Sequence, residues 1–135
     1  MTWRDVAVFI GRLVFAGMFI MAFFFKFAGI QDTANYIAAE GFPVPLALAW
    51  LAAIFEVLLA ACLLTGAFFS EAALLAALYV LFLGFAFHGP SHWTADQSEF
   101  GAFMSHFPFA AGLLFAAAHG PGRILSLPYG LLRRA

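Results

Sequence analysis

The sequence predicts an all-α, polytopic membrane protein: a bundle of four transmembrane helices with a short outer interfacial helix. Three observations predict it. Of 135 residues, 65% are hydrophobic and only 10% are charged, against about a quarter in a soluble domain. Four apolar stretches, at about residues 6–25, 45–66, 72–87 and 100–119, each approach the roughly 20 residues that cross a bilayer as a helix. None of them alternates as a barrel strand does, and backbone groups in lipid must be satisfied internally, so the stretches read as helices. The polar stretches between them are too short to enclose a separate core, and residues 1–135 read as one membrane domain.

The first stretch ends in bulky Phe residues and Lys26, without a small-residue cleavage pattern, so it reads as a retained span and not a signal peptide. Between the first two spans, residues 32–39 predict the interfacial helix. Asp32 or Thr33 caps it, Gly41 ends it, and Pro43 and Pro45 forbid its continuation. Its pattern sends Ile30, Ala34 and Ile37 toward the membrane and Gln31, Asp32 and Asn35 toward water. Before the fourth span, Asp96 and Glu99 have capping-box spacing, and Trp93 suits the interfacial aromatic belt. Gly120-Pro121-Gly122 stops the fourth span, and the basic tail, residues 120–135, is expected on the cytoplasmic surface.

Lys and Arg counts orient the bundle. One side carries Arg4, Arg12, Arg123, Arg133 and Arg134, and the other only Lys26 beside Asp32, Glu40, Asp96 and Glu99. The positive-inside rule then puts both termini in the cytoplasm of a bacterial-type inner membrane. A net charge of -1 gives no argument for nucleic acid. The lone Cys62 forms no dithiol and reads as a packing residue.

Glu56 is the sole ionisable group of the second span, and an acid in hydrocarbon costs several kcal/mol unless paired or protonated. It shares a helical face with Ala49, Ala53 and Ala60, the small residues at which membrane helices approach closely. Glu56 therefore points inward. The same spacing groups Arg12, Ala16, Phe19, Phe23 and Lys26 on the first span, and Ala77, Leu81, Gly84 and His88 on the third. On the fourth it groups Glu99, Phe103, His106, Ala110 and Ala117. At about 1.5 Å per residue, Glu56 lies roughly 16 Å and Arg12 roughly 20 Å below the outer ends of their helices. An Arg12–Glu56 ion pair is the expected neutralising contact, either as a proton relay or as a clamp that fixes register.

Lys26, His88, His106 and Glu99 are the candidate ligand-binding groups nearer the outer surface. Lys26 can instead snorkel to head groups. His88 and His106 end and begin neighbouring helices and are expected to meet, where they could hydrogen-bond a quinol oxygen or, with His92, ligate haem or copper. The spacing defines no metal-ligand set, because Gly89-Pro90 breaks helical spacing between His88 and His92. Pro108 frees the carbonyl of Met104, an acceptor on offer to His106.

Taken in order, several stretches resemble the DoxX family of small four-helix membrane proteins. They are Gly11-Arg12-Leu13, Lys26 followed by AGIQDTANYIAAEGFPVPLAL, Glu56 in its Leu/Ala-rich helix, Phe87-His88, Glu99-Phe100, and Gly120-Pro121-Gly122-Arg123 with LSL after it. The resemblance implies a four-helix fold and carries over Lys26, Glu56 and His88. It also implies a link to quinone-dependent oxidoreductases, including a small subunit of a thiosulfate-oxidising quinone reductase; other members accompany oxidative-stress or metal-linked systems. Many relatives read Phe-Met-Lys-Asn where this chain reads Phe103-Met104-Ser105-His106, so no fourth-helix contact is carried over from the resemblance. The expected role is a subunit or accessory of a quinone-linked redox system with an outer-leaflet cavity, an oxidoreductase subunit and not a complete enzyme. Quinone is the candidate ligand, ahead of haem or metal. The expected partners are the lipid bilayer and other membrane or peripheral redox subunits, with a homo-oligomer also open. A non-catalytic assembly subunit and a haem- or metal-binding protein are the rival readings.

Overall fold

The computed structural model describes residues 1–132, and those residues form five α-helices and one 3-10 turn. Helix α1 spans Trp3–Ala28, α2 Ile30–Ala39, α3 Pro45–Thr65, α4 Phe69–His88 and α5 Ser98–His119, with the 3-10 turn at Pro90–His92. Helices α1, α3, α4 and α5 are each long and apolar enough to cross a membrane. Local chemistry sets their ends. Thr2 and Asp5 form a reciprocal capping box that starts α1 ahead of its apolar run. Pro45 occupies the first turn of α3, where its missing N–H would be unpaired anyway. Gly66 ends α3 at φ 79°, and a Cβ there would lie 2.9 Å from the backbone of Ser126. Only glycine fits. Asp96 and Glu99 do not complete a capping box: Asp96 Oδ1 accepts from the Ser98 amide and hydroxyl, and Glu99 turns to His88.

Helix α1 packs most closely on α3, and α4 on α5. Alanine makes this possible. Ala16, Ala60, Ala73, Ala76, Ala77 and Ala110 are buried and let the backbones approach, with Leu63 and Leu113 filling the centre. Phe109 of α5 bridges to Phe15 and Phe19 of α1 and closes the ring of helices. Large side chains such as Phe24, Leu58, Leu78, Phe85 and Phe115 point outward, as a surface solvated by lipid requires.

Two parts of the fold depart from the expected arrangement. Ala34 and Ile37 of α2 do not face the membrane. They are buried against Ala49 of α3 and Phe87 of α4, so α2 is a lid packed on the end of the bundle. The chain after α5 is not merely laid on a surface either. Leu127 N–H donates to Thr65 O, Phe68 N–H to Tyr129 O, and the amides of Leu131 and Leu132 to the Glu71 carboxylate. This segment straps the end of the bundle opposite α2. Arg133 and Arg134, used in the charge count, lie outside the described residues.

Candidate functional site: a cavity under the α2 lid

Glu56 faces the interior and is 1% exposed. Its partner is not Arg12. Lys26 Nζ lies 2.9 Å from Oε1, and the Tyr79 hydroxyl donates to Oε2 at 2.9 Å. The Lys26 contact is an ionic one: Oε1 has no hydrogen bond of good geometry among the described residues, and the ammonium charge neutralises it. Helix register explains the change of partner. Phe27 of α1 packs beside Trp50 of α3. Counted from that pair at about 1.5 Å per residue, Glu56 lies about 9 Å down and Arg12 about 22 Å down. Lys26 is nearly level with Phe27, so its flexible stem runs inward to the acid and does not snorkel out to head groups.

Arg12, 2% exposed, lies toward the other end, where all its N–H groups meet backbone carbonyls. Nε donates to Leu63 O at 3.1 Å, Nη1 to Pro121 O at 3.1 Å and Ile124 O at 2.5 Å, and Nη2 to Leu64 O at 2.7 Å and Leu125 O at 2.9 Å. Two of those carbonyls end α3, where the helix dipole favours a cation. The rings of Phe9 and Phe69 cover the guanidinium carbon at 5.6 and 5.8 Å. Arg12 is a clamp that joins α1, α3 and the strap. It has no access to Glu56 and cannot set its charge state.

At the α2 end, His88 and His106 do meet, with ring centroids 5.3 Å apart. His88 Nδ1 donates to Glu99 Oε2 at 2.5 Å, and His106 Nδ1 donates to Ala102 O at 2.6 Å. That acceptor is the ordinary carbonyl one turn back, not the Met104 carbonyl freed by Pro108. Gly84 makes the approach of α4 to α5 possible, since a Cβ on it would lie 3.1 Å from His106 Cβ. His92 is drawn away to Glu40 at 2.9 Å, tying the 3-10 turn to the end of α2. Among the described residues no group of three or more His, Cys, Asp or Glu side chains could hold a metal ion. The three-histidine set is therefore not assembled. Trp93 is held by a hydrogen bond from Nε1 to His88 O at 2.8 Å.

Between α2 and the seam of α3 and α4 lies a cavity of about 840 Å³. Its walls are largely apolar, with Phe42, Leu48, Phe55 and Leu83 among them. Lys26, Tyr79, His88 and His106 supply polar groups at its boundary, while Tyr36 and Thr33 descend from the lid. Glu56 itself does not line the space; Lys26 and Tyr79 stand between. Tyr36 stacks on Phe87, centroids 5.1 Å apart and planes 15° from parallel. Burial, with the Glu99 and Glu40 charges, pushes the Tyr36 phenol above its ordinary value, so it remains a protonated donor at neutral pH. Tyr79 and Tyr36 were not singled out from the sequence. Tyr79 had a signal: it is the only hydroxyl in the apolar run between Glu71 and His88.

Fold and cavity define an integral membrane protein of four spans with a lidded, mostly apolar binding space at one end. The sequence model of the family described as DoxX matches residues 7–89, and the chain belongs to the DoxX family. It is 32% identical over 125 residues to "Inner membrane protein YphA" of Escherichia coli (strain K12), covering 90% of this chain and 88% of that protein. No solved structure matches it. The family match includes Arg12, Lys26, Glu56, Tyr79 and His88 and ends before Glu99 and His106.

Proposed function

We propose that this chain is the ligand-holding membrane subunit of a quinone-linked redox system. The observation that carries the reading is the cavity: about 840 Å³, walled by aromatic and aliphatic side chains, with Lys26, Tyr79, His88 and His106 at its edge. Small-molecule sites have this make-up and fall between about 300 and 1,000 Å³. A flat, lipophilic molecule with oxygen substituents matches both the apolar walls and the polar rim. Quinol oxidation releases two electrons and two protons. The electrons pass to an acceptor on a partner subunit, because this sequence has neither a dithiol nor a dinucleotide-binding motif. One proton is accepted by the Tyr79 oxygen as Tyr79 passes its own to Glu56, and the other by the Nε2 lone pair of His88 or His106 at the cavity edge. Lys26 is the cation paired with that acid, the place first expected of Arg12.

The inner membrane is the proposed location, supported by the printed name of the Escherichia coli relative. Arg4, Arg12 and Arg123 near one end, against Lys26 near the other, favour cytoplasmic termini and a cavity in the outer leaflet. Purification in mild detergent with mass spectrometry of bound lipids and chains tests the reading. It predicts a co-purifying quinone and a redox partner, and a preparation that neither contains quinone nor takes it up would refute it.

A second reading has its own support, namely that Glu56 is already engaged by both Lys26 and Tyr79. In it the polar groups only lock the bundle of an assembly subunit. Glu56→Gln separates the two: quinol-linked turnover falls under the first reading and is unchanged under the second.

A further inference from the structure

Both histidines at the cavity edge have Nδ1 committed, and the hydrogen bonds fix the tautomer. A carbonyl oxygen can only accept, so His106 Nδ1, facing Ala102 O at 2.6 Å, carries a proton. The Glu99 carboxylate likewise accepts from His88 Nδ1. In a neutral imidazole the other nitrogen is then a lone-pair acceptor. Neither Nε2 has a protein hydrogen-bond partner among the described residues, and neither is sealed away: the one buried side-chain polar atom lacking a partner is Glu56 Oε1. Both rings line the cavity, and their centroids are 5.3 Å apart. In their neutral forms the two rings therefore offer this wall of the space two acceptors and no donor. Gly84 holds it in place, because any larger residue would push His106 away from α4.

We infer that the His88–His106 wall selects a ligand by its hydroxyl hydrogen-bond donors, so the cavity holds an aromatic diol, the reduced quinol form, in preference to the dicarbonyl quinone. The inference rests on the reading of the cavity as a quinone-class site and adds the redox form that it recognises. A quinone oxygen placed here would set lone pair against lone pair. A hydroxyl would donate to Nε2 and satisfy an acceptor that the bound ligand otherwise deprives of water.

The test uses the full chain in detergent and a short-chain ubiquinol kept reduced, the corresponding ubiquinone, and the ubiquinol di-O-methyl ether. Binding is measured by equilibrium gel filtration with mass-spectrometric quantification. The diol is expected to bind about tenfold more tightly than the ether, the difference made by one buried acceptor left unpaired, and more tightly than the quinone. His106→Phe and His88→Phe keep a flat ring and remove the acceptor, so each should bring the diol-to-ether ratio toward one. If a variant fails to fold, the wild-type ligand series alone decides. Equal binding of all three compounds, abolished by Ala52→Trp in the cavity wall, would overturn the donor rule and leave the quinone-class reading standing. Binding of none would overturn both. Stoichiometric Zn²⁺ binding that displaces the diol and is lost in the Phe variants would make the wall a metal site and overturn the inference.

Discussion

Lys26 and Glu56 form an ion pair across helices α1 and α3, with Nζ 2.9 Å from the carboxylate, although Lys26 starts about 7 Å nearer the end of the bundle. The two ends of this pair are unequal. Glu56 is 1% exposed, whereas the Lys26 side chain retains 23% exposure and can swing into the cavity mouth. Lys26→Met leaves a sealed acid with only Tyr79 for company, and should destabilise the protein by about 3 kcal/mol, the lower range for a broken buried pair. Glu56→Gln leaves a cation that can still reach solvent, and should cost only about 1 kcal/mol. Thermal unfolding in detergent reads both, and the order reverses if Lys26 is not the neutralising partner.

Distance predicts which pairs of substitutions interact. Lys26→Met with Glu56→Leu should cost less than the sum of its parts, since no lone charge remains. Arg12→Leu with Glu56→Leu should be additive within about 0.5 kcal/mol, because the two lie far apart and share no partner. A double-mutant cycle on each pair measures this.

Arg12→Leu should release the strap. Five carbonyls lose their donor at once, and the expected loss is at least about 3 kcal/mol. Arg12→Lys should recover only part of it, since an ammonium has three donors and no planar fork. Limited proteolysis after Arg123 is the readout, and cleavage there should accelerate in Arg12→Leu before the spans are cut.

Glycines at two positions in neighbouring helices should respond in opposite directions. Gly84→Ala puts a Cβ 3.1 Å from His106, and overpacking of that kind costs about 1–3 kcal/mol. Gly101→Ala meets nothing within 4 Å and should gain about 0.5–1 kcal/mol from helix propensity. Equal shifts in melting temperature would mean that α4 and α5 do not approach as closely as described.

Helix existence and inward faces were legible in the sequence because both follow from periodicity. Ala49, Ala53, Glu56 and Ala60 are all buried, as their spacing requires, and so are Arg12, Ala16 and Phe19. The meeting of His88 and His106 was legible for the same reason. What failed was level. Depths counted separately from each helix end placed Arg12 beside Glu56, but α1 runs to Ala28 and the Phe27–Trp50 contact fixes how the two helices slide. That register is a tertiary property that no single-helix period contains. The strap was hidden too, since its bonds to Thr65, Phe68 and Arg12 use backbone groups, which leave no mark in residue type. The burial of Ala34 and Ile37 was not legible, because a membrane surface and the end of the bundle ask for the same apolar face of α2.

Photoaffinity labelling with an azidoquinone, followed by peptide mapping, tests the central claim most directly. The cavity predicts saturable label on peptides that carry Tyr36, Tyr79 and His106, competed away by ubiquinol. Label spread over the lipid-facing Phe and Leu residues, indifferent to competitor, would contradict it.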